Sequence, residues 1–574
     1  MAIILVFSLV LSIPLLRDGL PFAHDTEEHL ERYVCFADQI SHGELYPRWL
    51  AKANGGLGSP VMFVYAPLAY YVPAALRPIL NFRQDGSTES KELGVSLWLA
   101  MAVSGWSAFL WLRTLVDKVW AATAGALLYL VLPYHFEIDL YTRAAVSEVW
   151  AFAWMPLILY FSCMTVRKRS LLSVSGLAVS YALLIYTHLL TTLIFTPVLV
   201  GAAFVYAKRG AYRSALPRVV LALGLGAGLS AAYLGPALQH EKYVSPERLA
   251  QYRPTLSYPR NFMVFRRDWT DSTQRGDYVW KLSLITFSTV AAAAAALALK
   301  RGSKDKATAQ EYYWALVGLT SFAMMLPISA FIWKAVPQLA AIQFPYRFNT
   351  LLCLAATALL TSAAGSLARP LRGWRIPVAF AAVDILLLWA AADIATVVHL
   401  APGKPRSLPR LAETSLVLDV LLPGWGSARD PLYLKNIGIL ELSRHAAARG
   451  ENLARVSWTR PNARTLELSV DGSPGWVTVP LLYYPGWTAR SEQGENLKIR
   501  PVPENGLVEV EAPAGTNRIE VTLPVGAAEK AGLGAAGVCA VLTLVLLAWD
   551  YRERRANGSP GSGRADFSRA AAIV

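Results

Sequence analysis

One apolar stretch decides the topology of this chain: Val61-Met-Phe-Val-Tyr-Ala-Pro-Leu-Ala-Tyr-Tyr-Val-Pro-Ala-Ala-Leu-Arg-Pro-Ile-Leu80. By length it matches a membrane crossing, which needs about 20 apolar residues. Pro67, Pro73 and Pro78 lie within it and Pro60 just before it. Each proline lacks a backbone donor, and its ring collides with the carbonyl of the preceding turn. The stretch therefore reads as broken helices lying in the outer leaflet, not as one crossing. Counting it as a span would reverse the side of every later loop.

Composition supports a membrane reading. Of 574 residues, 54% are hydrophobic and 16% charged, and mean hydropathy is +0.36. Soluble domains carry charge on about a quarter of their residues. A disordered chain, a disulfide scaffold and an ordinary cytosolic enzyme are excluded. The four cysteines form no CxxC or Cys/His pattern. The net charge of +14 fits basic loops between spans better than nucleic-acid binding.

Apolar runs predict about twelve spans: 2–17, 92–112, 119–136, 148–166, 171–187, 189–207, 218–237, 278–299, 313–333, 347–367, 376–397 and 531–549. The first reads as an uncleaved anchor, since no basic n-region precedes it and no cleavage site follows. Alternate loops are basic: Arg113 and Lys118; Arg167, Lys168 and Arg169; Lys208, Arg209, Arg213 and Arg218; Lys300, Arg301, Lys304 and Lys306; Arg369, Arg372 and Arg375; Arg552, Arg554 and Arg555. Short basic loops stay cytoplasmic, which puts both termini inside. The first loop (18–91), a loop at 238–277 and the segment 398–530 then face outward.

The expected architecture is an α-helical polytopic membrane protein with a small extracytoplasmic β-sandwich domain. Residues 1–397 form the membrane part and 398–530 the β-rich domain. The last span, 531–549, precedes a cytoplasmic disordered tail at 550–574. The β reading rests on alternating runs such as Thr465-Leu-Glu-Leu-Ser-Val470 and Arg518-Ile-Glu-Val-Thr-Leu523, with turn signals such as Asp471-Gly472 and Asn505-Gly506 between strands.

Ionisable groups near the membrane gather on the outward side. Ala23-His-Asp-Thr-Glu-Glu-His29 follows the first span. Asp25, Glu28 and His29 have the spacing of one helical face. They suit an N-capped surface helix, or a carboxylate set at a cavity mouth as base or metal ligand. Tyr134–Glu148 holds Asp139, Arg143 and Glu148; Arg143 reads as an anion ligand and Glu148 as half of an ion pair. His188 stands alone at a helix–helix turn. Gln343-Phe-Pro-Tyr-Arg347 opens a span, where Arg347 can hold a phosphate or snorkel. The loop 238–277, with Arg266 and Arg267 among its basic residues, can contact lipid headgroups or close over an anionic lipid.

Taken in order, six motifs resemble a known group: His24-Asp25, Tyr65-Ala-Pro-Leu-Ala-Tyr-Tyr71, Arg143-Ala-Ala-Val-Ser-Glu148, Thr187-His188, Gln343-Phe-Pro-Tyr-Arg347 and Tyr483-Tyr-Pro-Gly-Trp487. The layout resembles GT-C-type glycosyltransferases, and within them the bacterial membrane proteins labelled 6-pyruvoyl-tetrahydropterin synthase-related and the YfhO-like proteins. No soluble pterin-enzyme fold or zinc-binding histidine cluster accompanies that label. The resemblance implies transfer of a sugar from a polyprenyl-phosphate donor to a lipid, glycan or protein acceptor. The place is the outer face of the bacterial cytoplasmic membrane, among membrane lipids and without nucleic acid. It implies Asp25 as the catalytic acidic residue, either activating the acceptor or holding a divalent metal (Mg or Mn). His24, Glu28, Arg143, Glu148, His188, Arg266, Arg267 and Arg347 are the expected substrate-binding residues. A second acidic motif to pair with Asp25 is not evident; Asp139, Glu148 and Asp268 are candidates. A lipid-linked-sugar transporter or flippase and a non-catalytic envelope scaffold are the alternatives. Transport would need polar residues at mid-depth, where Asp384 and Asp393 are the hints.

Overall fold

A computed structural model describes residues 1–82, 87–168, 170–207, 212–243, 257–263, 274–301, 307–366, 457–470, 474–502 and 506–556. The span expected at 376–397, the acids Asp268, Asp384 and Asp393, the pair Arg266–Arg267 and most of the tail lie outside these residues.

Seven described helices are long and apolar enough to cross a membrane: Thr88–Leu112, Val119–Thr142, Val146–Lys168, Leu189–Tyr206, Tyr278–Ala298, Pro345–Gly365 and Ala527–Glu553. Two bent pairs raise the number to nine, and Ala2–Leu11 and Leu171–Thr187 are shorter apolar helices. Proline accounts for two of the departures from twelve straight spans. The first run divides into Ala2–Leu11 and Ile13–Asp18, because Pro14 cannot continue the ladder. The run at 313–333 bends by 85° between Ala309–Met325 and Pro327–Ala335. Leu326, held extended before Pro327 (φ −92°, ψ 150°), is the corner. The run at 218–237 is likewise two helices, Tyr212–Leu229 and Ala231–His240, and the pair is bent by 74°. Pro236 leaves the Ala232 carbonyl without its helical donor, and Arg48 Nη2 supplies one at 2.6 Å.

The deciding stretch is no continuous helix. Val61–Phe63 is a tight 3-10 turn, and after Pro67 a 13-residue helix, Leu68–Leu80, carries Pro73 and Pro78. It packs on Thr26–Ser41, the other long helix of the first loop.

The span expected at 119–136 runs further. Val119–Val131 is α-helical, and Tyr134–Thr142 winds on as a π-helix. The wider turn ends with Arg143 N–H donating to the Ile138 carbonyl at 2.8 Å. Such segments are rare and gather at functional sites.

Helix connections sort to two ends of the bundle. At one, Arg167 Nη1 donates to the Thr114 carbonyl at 3.0 Å and Lys300 lies 3.6 Å from Glu311. Asp550 there accepts the Leu171 N–H at 2.9 Å and the Ser170 hydroxyl at 3.0 Å. Helix Leu171–Thr187 thus receives its N-terminal cap from a helix late in the sequence. At the other end the first loop, the Thr142–Glu148 segment, His188 and Arg347 come together.

The described residues of the β region form eight strands: β1 Ser457–Asn462, β2 Thr465–Ser469, β3 Gly475–Leu482, β4 Thr488–Ser491, β5 Asn496–Leu497, β6 Ile499–Pro501, β7 Leu507–Ala512 and β8 Arg518–Thr522. They form two antiparallel sheets, ordered β1-β2-β8-β4-β5 and β3-β7-β6. Alternation places Leu466, Leu468, Ile519 and Val521 of one sheet and Val477, Val479, Val508 and Val510 of the other in a common core.

That core is not self-contained. Trp49, Ala51, Leu57 and Phe63 of the first loop belong to it. The Trp49 ring meets Trp487 edge-on at 5.1 Å, and Arg460 Nη1 donates to the Ala51 carbonyl at 2.6 Å. Gly58 (φ +88°) lies so close to the Trp49 indole that a Cβ would come within 2.3 Å of it. The closing helix, Ala527–Ala556, starts earlier and runs later than 531–549.

Candidate functional site

Asp25 stands at the N-cap of helix Thr26–Ser41, yet its side chain caps nothing. Thr26 winds the approach instead: its hydroxyl donates to the Pro21 carbonyl at 2.7 Å and accepts from Ala23 N–H at 3.3 Å. Backbone rungs then tie His24 N–H to the Thr142 carbonyl (3.2 Å) and Asp25 N–H to the Arg143 carbonyl (2.9 Å). The Asp25 carboxylate is thereby set beside the Arg143 guanidinium, with Oδ2 3.4 Å from Nη2.

Arg143 is the hub. Its Nη1 donates to Asp139 Oδ1 at 2.6 Å and to Glu148 Oε2 at 2.8 Å. Burial alone would pull the guanidinium pKa down; the carboxylates of Glu148 and Asp139 more than reverse this and raise it. Glu148 also lies 3.4 Å from Arg347 Nε. Its Oε1 accepts from the Tyr134 hydroxyl at 3.1 Å and from Thr350 at 3.4 Å. One continuous network thus links Asp25, Arg143, Asp139, Glu148 and Arg347. Side chains of Asp139, Glu148 and Arg143 are 0%, 2% and 4% exposed, whereas Asp25 is 35% exposed. Asp25 is the carboxylate a solute can reach.

The backbone is strained on both sides of the hub. Ala144 has φ +51° and Gln343 φ +65°, a left-handed region costly for residues other than glycine. Strain of this kind persists only where surrounding contacts enforce it, and it gathers at functional sites.

Arg347 lies in the 3-10 turn Pro345–Phe348, which leads into helix Asn349–Gly365. Its Nη1 donates to the Ile342 carbonyl at 2.7 Å, and its guanidinium lies 5.1 Å from the Phe344 ring. Nη2 makes no hydrogen bond among the described residues. His188 lies near enough to feel the charges of Glu148, Arg347 and Arg143. The His24 ring meets Tyr278 edge-on at 4.8 Å, and burial lowers its pKa.

Several expectations need correcting. Asp25, Glu28 and His29 do not converge: Glu28 pairs with Arg32 at 2.9 Å, and buried His29 shares a 2.8 Å hydrogen bond with the Tyr70 hydroxyl. Arg143 is no open anion ligand, because carboxylates occupy it. Among the described residues no group of three or more His, Cys, Asp or Glu side chains is arranged to hold a metal ion. The carboxylates that come together are bridged by Arg143, whose charge stands where a cation would.

The wiring of other members was not foreseen. Asp139, a candidate second acid, precedes Arg143 by four positions, an ion-pair spacing that signals the contact. Lys281, within a candidate span, pairs with buried Glu137; a lone cation in an apolar run is itself a signal. Tyr278 and Tyr346 line the network, with rings 5.9 Å apart; Tyr346 lies in the Gln343–Arg347 motif, whereas nothing in the local sequence marks Tyr278.

Comparison with known proteins adds the following. No curated protein matches the chain. Eight chains of solved structures match. One is a single-particle cryo-EM structure of the arabinofuranosyltransferase AftD from Mycobacteria, at 16% identity and a TM-score of 0.46. The match covers 70% of this chain and 28% of that one, so this chain spans little more than a quarter of that protein's length. Residues 63–395, more than half of the chain, match the membrane proteins described as carrying a 6-pyruvoyl-tetrahydropterin synthase related domain, and the chain belongs to that family.

Proposed function

We propose that this membrane protein is a glycosyltransferase. It moves a sugar from a polyprenyl-phosphate donor to an acceptor hydroxyl at the outer face of the bacterial cytoplasmic membrane. One observation carries the reading. Asp25, the reachable carboxylate, shares a single charge network with Arg347 although 322 positions separate them in the sequence.

The acceptor oxygen attacks the anomeric carbon while its proton passes to Asp25. The bond from that carbon to the phosphate oxygen breaks, and its electron pair leaves with the phosphate. A single displacement inverts the anomeric configuration. Arg143 holds Asp25 in place. The leaving phosphate lies on the Arg347 side, where Nη2 and His188 face it; Arg266 and Arg267 are further cations for it. The basic end of the bundle is cytoplasmic, and the β region supports or orients the acceptor.

A flippase is the second reading, favoured by the pair of buried Glu137 with half-buried Lys281 within candidate spans. Proteoliposomes loaded with radiolabelled polyprenyl-phosphate sugar and cell-envelope acceptors separate the two. A transferase frees polyprenyl phosphate; a flippase only moves label between leaflets. Asp25→Asn should lower release by about 100-fold or more with insertion intact. Full release by this variant would remove Asp25 as base.

A further inference from the structure

His188 joins two helices, Leu171–Thr187 and Leu189–Tyr206, in a single extended residue (φ −157°, ψ 98°). Its ring caps the second helix: Nδ1 accepts the Thr191 backbone N–H at 3.3 Å and sits 2.6 Å from the Thr191 hydroxyl. A backbone amide can only donate, so this cap requires an Nδ1 that carries no proton. A neutral ring in this cap then carries its proton on Nε2. Nε2 makes no hydrogen bond among the described residues.

Its surroundings keep the ring neutral. Burial is the largest influence, and the Arg347 and Arg143 guanidinium groups add to it. Glu148 opposes them, and the pKa is held down to about 4. The positive end of the helix dipole acts in the same sense as the guanidinium groups. His29, the other imidazole near it, is held well below its ordinary value, mainly by burial, and brings no cation.

We infer that His188 is a fixed, neutral donor whose Nε2–H binds an oxygen of the ligand beside Arg347, and that Thr191 is the positioning residue that selects this tautomer. The ligand oxygen is that of the donor lipid's phosphate, so this part rests on the function proposed above. A neutral imidazole at a helix N-terminus is a known electrophilic device.

The test uses the full chain, labelled with 15N-histidine, in phosphatidylcholine vesicles. His188 is assigned by the signal missing from His188→Gln. Solid-state NMR should find Nδ1 unprotonated and Nε2 protonated at pH 7 and still at pH 5.5, with undecaprenyl phosphate moving the Nε2 signal. His188→Leu should weaken binding of that lipid about tenfold. His188→Gln, whose amide N–H can donate, should recover most of it. Thr191→Val should cost about threefold, because the backbone N–H stays. A proton on Nδ1 at pH 7 overturns the tautomer. Bound lipid that leaves Nε2 unmoved, or equal losses in the Leu and Gln variants, overturns the donor role alone. No binding of the lipid by the wild type overturns that role together with the proposed function, and the tautomer is judged separately.

Discussion

Two of the buried charge clusters among the described residues are wired in opposite senses. Around Arg143, three carboxylates meet two guanidinium groups, and one carboxylate, Asp25, remains within reach of a solute. Around Glu529, one carboxylate takes two guanidinium groups. Arg48 Nε lies 2.7 Å away, and Arg464 binds through both terminal nitrogens at 3.1 and 2.8 Å. Glu529 also accepts the Gly526 N–H at 3.0 Å in the first turn of the closing helix, a favourable place for an anion. The second cluster has no carboxylate to spare and works as a joint between first loop, β region and closing helix. The first has a carboxylate in hand, and chemistry needs that surplus.

Variants can break or sharpen the contrast. Arg143→Leu strands Asp139 and Glu148 in a buried site and should cost about 3–5 kcal/mol, read as a drop in the detergent-solubilised melting temperature. A small change would show that the hub is not the anchor. Gly58→Ala drives a Cβ into Trp49 in a left-handed backbone and should cost about 2–3 kcal/mol; protease cleavage near the β region would report it first. Arg464→Met should cost about 1–2 kcal/mol, because Arg48 still pairs with Glu529. A loss as large as that of Arg143→Leu would erase the distinction. Acid acts on the first cluster through His188. Its folded pKa of about 4 lies below the ordinary 6.5, so stability is complete above pH 6.5 and is lost as pH falls toward 4. The loss should reach about 1 kcal/mol by pH 5.5, and His188→Gln should remove it. Asp25→Asn should change stability by under about 1 kcal/mol, the counterpart of its large effect on turnover.

Much of this was legible in the sequence, for physical reasons that differ by region. Apolar runs located the long helices, since hydrocarbon demands them. The prolines of Val61–Leu80 foretold a broken segment. Pro14 and Pro327 carried the same message at the first span and at the 85° corner, where run length outweighed it. Asp25, Arg143, Glu148, His188 and Arg347 were all candidates, and the fold gathers them. The wiring was not legible. A π-turn depends on packing around Tyr134–Thr142, and positive φ at Ala144 has no signature in an alanine. That Trp49 completes the core of the β region depends on contact between distant segments, and periodicity within a strand says nothing of it.

The shared core also sets an order of events in synthesis. Arg460 and its partner Ala51 are 409 positions apart, and Trp49 lies just beside that partner. The ribosome therefore delivers a tryptophan-bearing turn long before the strands that shelter it. In the interval the turn is an unburied, sticky surface, and pairing over such a distance is slow. Biogenesis of this chain should then depend on whatever guards that turn until the last strands arrive, and a pulse-chase should show Trp49 becoming protected only late.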